Sequence, residues 1–157
     1  MAGILSERLD RLAAFAGRSL VVGAAGTAAI TLSATIEMKL RRRDASAVPQ
    51  EVAGKVLGLE PQSERAAKAL GAAAHIASGL ALGPVLPALA AAGVDEPTAS
   101  GVLFAAAWMP ELVLVPMAGA SEPPWKWGVV EIGISAIHHV AYTAAASATW
   151  AALSRQR

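Results

Sequence analysis

The chain of 157 residues contains no cysteine. Disulfides and thiolate metal sites are therefore excluded, and the redox compartment is left open. Charge is also scarce, with 16% charged residues against 55% hydrophobic ones and a net charge of +1. That balance lies outside the usual soluble range, and it offers no electrostatic argument for nucleic acid. Several signatures of chemistry are missing too. No nucleophile elbow accompanies the serines near histidine, and Gly23 to Gly26 lacks the lysine and preceding strand of a phosphate loop. Neither a Glu-x-x-His nor a His-x-x-x-His spacing occurs. Near the N-terminus Glu7, Arg8, Asp10 and Arg11 stand where a signal peptide would have its apolar core, so the chain is expected to keep that end.

What the chain does have is four long apolar stretches, Ser19 to Ile36, Ala69 to Val94, Pro97 to Ser121 and Trp127 to Ser154. A hydrocarbon core about 30 Å thick needs about 20 helical residues to cross it, and each stretch reaches or approaches that length. The expected fold is all-α, an integral membrane four-helix antiparallel bundle forming one domain, with spans at 17–38, 68–93, 97–119 and 127–153. Much of the apolar content is Ala and Gly, so an Ala-rich soluble bundle is the competing reading. The third stretch, carrying Pro110, Glu111 and Pro116, is the weakest span.

Flanking segments add detail. Leu5, Leu9, Leu12 and Ala16 recur at helical spacing with the charges turned away, which predicts an amphipathic interfacial helix over 4–16 with Ser6 as its cap, the alternative being an ordinary polar extension of the first span. The long polar loop 39–66 holds Val48, Val52, Val56 and Leu59 ahead of Pro61, the pattern of a short surface helix stopped at Gly58. Ser63 reads as the start signal of the second span. Asp95-Glu96-Pro97 and Ser121-Glu122-Pro123-Pro124 read as tight turns, which make consecutive spans antiparallel neighbours. Trp125 and Trp127 open the last span and Trp150 closes it, at about the separation of the two interfacial aromatic belts. Basic residues favour the side of the long loop, with Lys39, Arg41, Arg42, Arg43, Lys55, Arg65, Lys68 and Lys126 against Arg8, Arg11, Arg18, Arg155 and Arg157. The positive-inside rule then puts loop 39–66 in the cytoplasm.

Each stretch or its end carries a side chain that hydrocarbon rejects: Glu37, His75, Glu111, Glu131, His138 and His139, with Tyr142 beside them. Counted by helical rise, these groups fall in the half of the bilayer nearest the long loop, so a single polar cluster is expected. Glu131, Ser135, His138 or His139 and Tyr142 share one face of the last span. Gly71, His75, Gly79 and Gly83 repeat every four residues, as do Gly23, Thr27, Thr31 and Thr35; both are small-residue stripes suited to close helix packing. Three uses of the cluster compete. It can serve as a hydrogen-bonded polar core that fixes register. It can be a haem or divalent-metal site with His75, His138 and His139 as the cofactor-binding residues. It can be a proton or ion pathway.

Pro116-Met117-Ala118-Gly119, followed by Pro123-Pro124 and by an acidic residue ahead of histidine in the last span, resembles the small bacterial inner-membrane proteins of the YagU type and related families of unknown function. The resemblance covers the last two spans. It implies a multi-pass helical protein of the bacterial inner membrane and brings no settled activity with it. Nine Arg against four Lys amid abundant Ala suits a bacterium of high genomic GC content. The expected function is thus that of a non-enzymatic structural or accessory membrane protein, partnered by the lipid bilayer and by copies of itself or a larger membrane complex, with no nucleic acid.

Overall fold

The computed structural model describes residues 2–155, and among these every regular element is helical. Six α-helices follow one another: α1 Ala2–Arg41, α2 Val48–Leu57, α3 Glu64–Ala81, α4 Val85–Ala91, α5 Glu96–Met117 and α6 Val129–Ser154. A single 3-10 turn, Pro124–Lys126, precedes α6. Four helical segments are long and apolar enough to cross a membrane: most of α1, the run Glu64–Ala91, α5 and α6.

Three expectations need correction. The segment 4–16 is not a separate interfacial helix, because α1 runs without interruption through 40 residues and its first turns are an exposed extension of the apolar part. An amphipathic period cannot distinguish the two, since both are helices with one apolar face. Ser6 accordingly caps nothing, and its hydroxyl donates to the Gly3 carbonyl inside the helix. The second span is broken, with α3 ending before Gly83-Pro84 and α4 starting beyond them. Pro84 has no N–H to continue the ladder, and the chain passes the break through Gly83 N–H donating to Leu80 O. Trp150 is not a belt residue either; it is buried in the core beside Leu86, Ala99 and Leu103.

Local signals account for the ends of the elements. Ser63 caps α3 by accepting from the Ala66 N–H, and Asp95 caps α5 by accepting from the Thr98 N–H. Gly58 ends α2 in the left-handed region at φ 63°. Lys55 then ties α2 down, because its ammonium donates to the carbonyls of Ala118 and Gly119 just beyond the C-terminal end of α5. Arg42 leaves α1 with φ 55°, a left-handed conformation uncommon outside glycine. That turn folds Arg43 back along α1.

Packing is built around α1. It touches α3 on one side and α6 on the other, α5 packs on α6, and α4 bridges α5 and α1. Contacts climb α1 as they descend its partners: Ser19 meets Gly83 and Thr27 meets Gly79, while Ser33 meets His138 and Arg41 meets Glu131. A methyl group added at Gly83 would overlap the Ser19 carbonyl oxygen, and one at Gly79 would overlap Thr27 Oγ1. One at Gly23 would stand 3.0 Å from Leu80 Cα. Gly71 belongs to a different interface, against Gln50 of α2. The core of Val22, Leu86, Ala99, Leu103, Tyr142, Ala146 and Trp150 is small. No apolar window of the four long helical segments is more than 28% buried. The accessible surface is 9890 Å², against about 7,300 Å² for a soluble monomer of this mass.

Replacing Gly83 by Ala is expected to cost about 1–3 kcal/mol by overpacking, read as a lower thermal midpoint in mild detergent. Gly133→Ala is the control, since an added methyl there meets nothing within 4 Å; it is expected to stabilise α6 by about 0.5–1 kcal/mol. A second outcome concerns Asp95, whose carboxyl is held below the ordinary aspartate range by the Thr98 N–H and hydroxyl. A depressed folded value means the cap contributes above the ordinary pKa and is lost as pH falls through the depressed one. Hydrogen exchange at the Thr98 amide should therefore speed up on acidification beyond its intrinsic pH dependence, and at neutral pH in Asp95→Ala but not in Asp95→Asn.

Candidate functional site

By hydrogen bonding, the ionisable side chains that the apolar helices carry fall into three groups and a hinge point, with His138 and His139 within electrostatic reach of more than one of them. The first group lies at the end of the bundle where α1 finishes and α6 begins. Arg41, in the last turn of α1, donates to both carboxylate oxygens of Glu131 in the first turn of α6, at 3.0 and 2.6 Å. It also reaches Glu37 Oε1 at 3.2 Å. Arg43, brought back by the left-handed turn at Arg42, donates to Glu37 from Nε at 2.8 Å and from its terminal nitrogen to the other oxygen. Two acids thus face two bases. A cation at a helix C-terminus and an anion at a helix N-terminus also suit the two helix dipoles. His138 borders this group, with Nδ1 2.8 Å from Ser33 Oγ and Nε2 4.0 Å from Glu37 Oε2. Its Nε2 is buried and has no hydrogen-bond partner among the described residues.

The second group joins α5 to α6. Trp108 Nε1–H donates to Ser135 Oγ at 2.8 Å, and Ser135 donates onward to Glu111 Oε2 at 2.9 Å. The same carboxylate oxygen is 3.5 Å from His139 Nε2, while His139 Nδ1 is 2.8 Å from the Ser135 carbonyl. Trp108 also lies beside the His139 ring, with centroids 6.5 Å apart. His138 and His139 are sequence neighbours, and helical phase separates them by about 100°. One consequently faces α1 and the other α5.

The third group is His75 on α3 with Thr31 on α1. Thr31 donates to the Thr27 carbonyl at 2.7 Å, so its oxygen accepts from His75 Nε2–H at 3.0 Å. Thr27, Thr31 and Thr35 each bond back to the carbonyl four residues earlier, which satisfies the hydroxyls along that stripe. The hinge point is Tyr142. Its ring lies over Gly26, where an added methyl would come within 2.6 Å of Cε2, and its hydroxyl donates to Gly79 O at 2.6 Å. One side chain therefore connects α6, α1 and α3.

The three imidazoles are directed at three different partners, Thr31, Ser33 and the Ser135 carbonyl. The structure thus does not bring His75, His138 and His139 to one point. Trp108 and Gly26 were not legible as site residues. A tryptophan within an apolar span reads as filling, although its spacing of three from Glu111 places both on one face. Gly26 stands outside the four-residue stripe that singled out Gly23 and Thr27.

No protein-family model, curated protein or solved structure matches the chain. The functional reading rests on the geometry of the chain itself.

Tyr142→Phe removes the hydroxyl bond to Gly79 and keeps the ring over Gly26. The expected loss is about 1 kcal/mol, the net value of one hydrogen bond with some cost for the carbonyl left behind. Unfolding of the purified protein in detergent measures it.

Proposed function

We propose that the chain is an integral membrane protein whose four apolar segments cross the bilayer as an antiparallel bundle, acting as a non-enzymatic structural or accessory component. One observation carries this reading: α5 is apolar on nearly every side, yet only Ala99 and Leu103 of its 22 residues are buried. A helix apolar all round belongs either in a protein core or in lipid, and α5 is not in a core. Val113, Leu114, Ile137 and Val140 are likewise exposed. In water each would forgo roughly 1 kcal/mol or more of apolar transfer.

The pairing of the polar groups supports an architectural role. Glu37, Glu131, His75, His139 and Tyr142 all find partners on neighbouring helices or within their own helix. A polar group without a partner in hydrocarbon costs several kcal/mol, so such pairs fix rotation and register. Loop 39–66 then faces the cytoplasm of a bacterial inner membrane, and the lipid-facing helices offer the means of association with further copies or a larger complex.

The test is extraction. The protein is expected to remain in the membrane pellet through alkaline carbonate washing, and a cysteine introduced at the exposed Gln62 should react with an impermeant maleimide only after the cells are opened. Release into the carbonate supernatant would sink the membrane reading, and labelling of intact cells would reverse the orientation. Purified protein should show no Soret band and no stoichiometric metal.

A further inference from the structure

We propose that Glu111 and His139 together hold one proton, making a proton-binding site between α5 and α6. The inference follows from which atoms can donate. The Ser135 carbonyl can only accept, so the His139 Nδ1 that lies 2.8 Å from it carries a hydrogen. Trp108 Nε1 can only donate, so Ser135 Oγ accepts from it and is free to send its own hydrogen to Glu111 Oε2. With those two directions set, neutral His139 presents the bare lone pair of Nε2 toward Glu111 Oε2, 3.5 Å away. An ionised carboxylate there would set lone pair against lone pair. A proton between them removes the conflict, either as a carboxylic acid facing imidazole or as a carboxylate facing imidazolium. The summed charge of the pair is zero in both forms, and transfer between Oε2 and Nε2 leaves that sum unchanged.

The surroundings offer Glu111 no fixed counter-charge among the described residues. Glu111 lies six residues before the end of α5, about 9 Å along the helix. Among the described residues no Lys or Arg is paired with it, in contrast to Glu37 and Glu131, which have Arg43 and Arg41. His139 is buried, and Trp108 lies alongside its ring. The other titratable groups within electrostatic reach are His138 on α6 and His75 on α3, with Glu37 and Arg43 of α1 beyond His138. Glu111 keeps 36% of its side chain exposed, so the site is not sealed within the bundle. The cost of an unshared charge here depends on the apolar surroundings, and to that extent the proposal rests on the membrane reading.

The experiment is a joint reading at neutral pH by NMR of protein carrying 15N-histidine and 13C-glutamate in lipid nanodiscs, with Glu111→Gln and His139→Gln used to assign the two signals. The expected result is one proton across the pair: either His139 protonated on both nitrogens beside an ionised Glu111, or Glu111 as the acid beside an imidazole protonated at Nδ1 alone. Glu111 ionised beside neutral His139 would overturn the proposal. So would an acid beside an imidazolium, or a stoichiometric metal held by the two side chains. Flotation scores insertion separately. A chain that fails to float contradicts the membrane reading, and the same joint reading is then made on the protein in solution.

Discussion

The bundle depends on how closely α1 approaches its neighbours, and glycine sets that distance. Gly79 of α3 and Gly83 in the break that follows it meet Thr27 and Ser19 of α1 with no room for a methyl group, and Gly26 of α1 receives the ring of Tyr142 from α6. Without side chains at these points the backbones come near enough for polar groups to bridge them. Tyr142 reaches the Gly79 carbonyl across the junction, and Thr31 meets His75 one turn along. Larger residues would push the helices apart and leave these groups without their partners, and a buried polar group left unpaired is expensive.

The same logic separates two kinds of carboxylate. Glu37 and Glu131 sit at the end of the bundle and are matched by Arg41 and Arg43, so their charge is neutralised there. Glu111 has a serine, a tryptophan behind that serine and a histidine, none of which brings a fixed positive charge. The first pair of acids anchors helix ends. The third is in a position to exchange a proton, and His138, with its unpartnered Nε2 next to Glu37, lies between the two settings.

Much of the architecture could be read from residues alone. Each apolar stretch lies largely within a long helical segment, although the first runs on toward the N-terminus through the segment 4–16 and the second is broken at Gly83-Pro84, and the patterns at Val48, Ser63 and Asp95 mark where α2, α3 and α5 begin. The break at Gly83-Pro84 went unread because Gly83 also completes the small-residue stripe, and the stripe suggested continuity. Trp150 was misplaced for a related reason. Its distance from Trp127 matches a membrane thickness, but distance along a helix says nothing about which way a side chain points around it.

The amino-acid sequence by itself determined that the chain is helical, that four segments are apolar enough to cross a membrane, and which ionisable residues lie within or beside them. Those properties are local, carried by composition and period within one helix. Only the tertiary structure decided that His138 turns to α1 and His139 to α5, that Arg41 couples Glu37 to Glu131, and that Trp108 and Ser135 support Glu111. Partnership between helices depends on their relative rotation and separation. These are set by the shape of whole faces, and above all by where glycine lets two backbones touch.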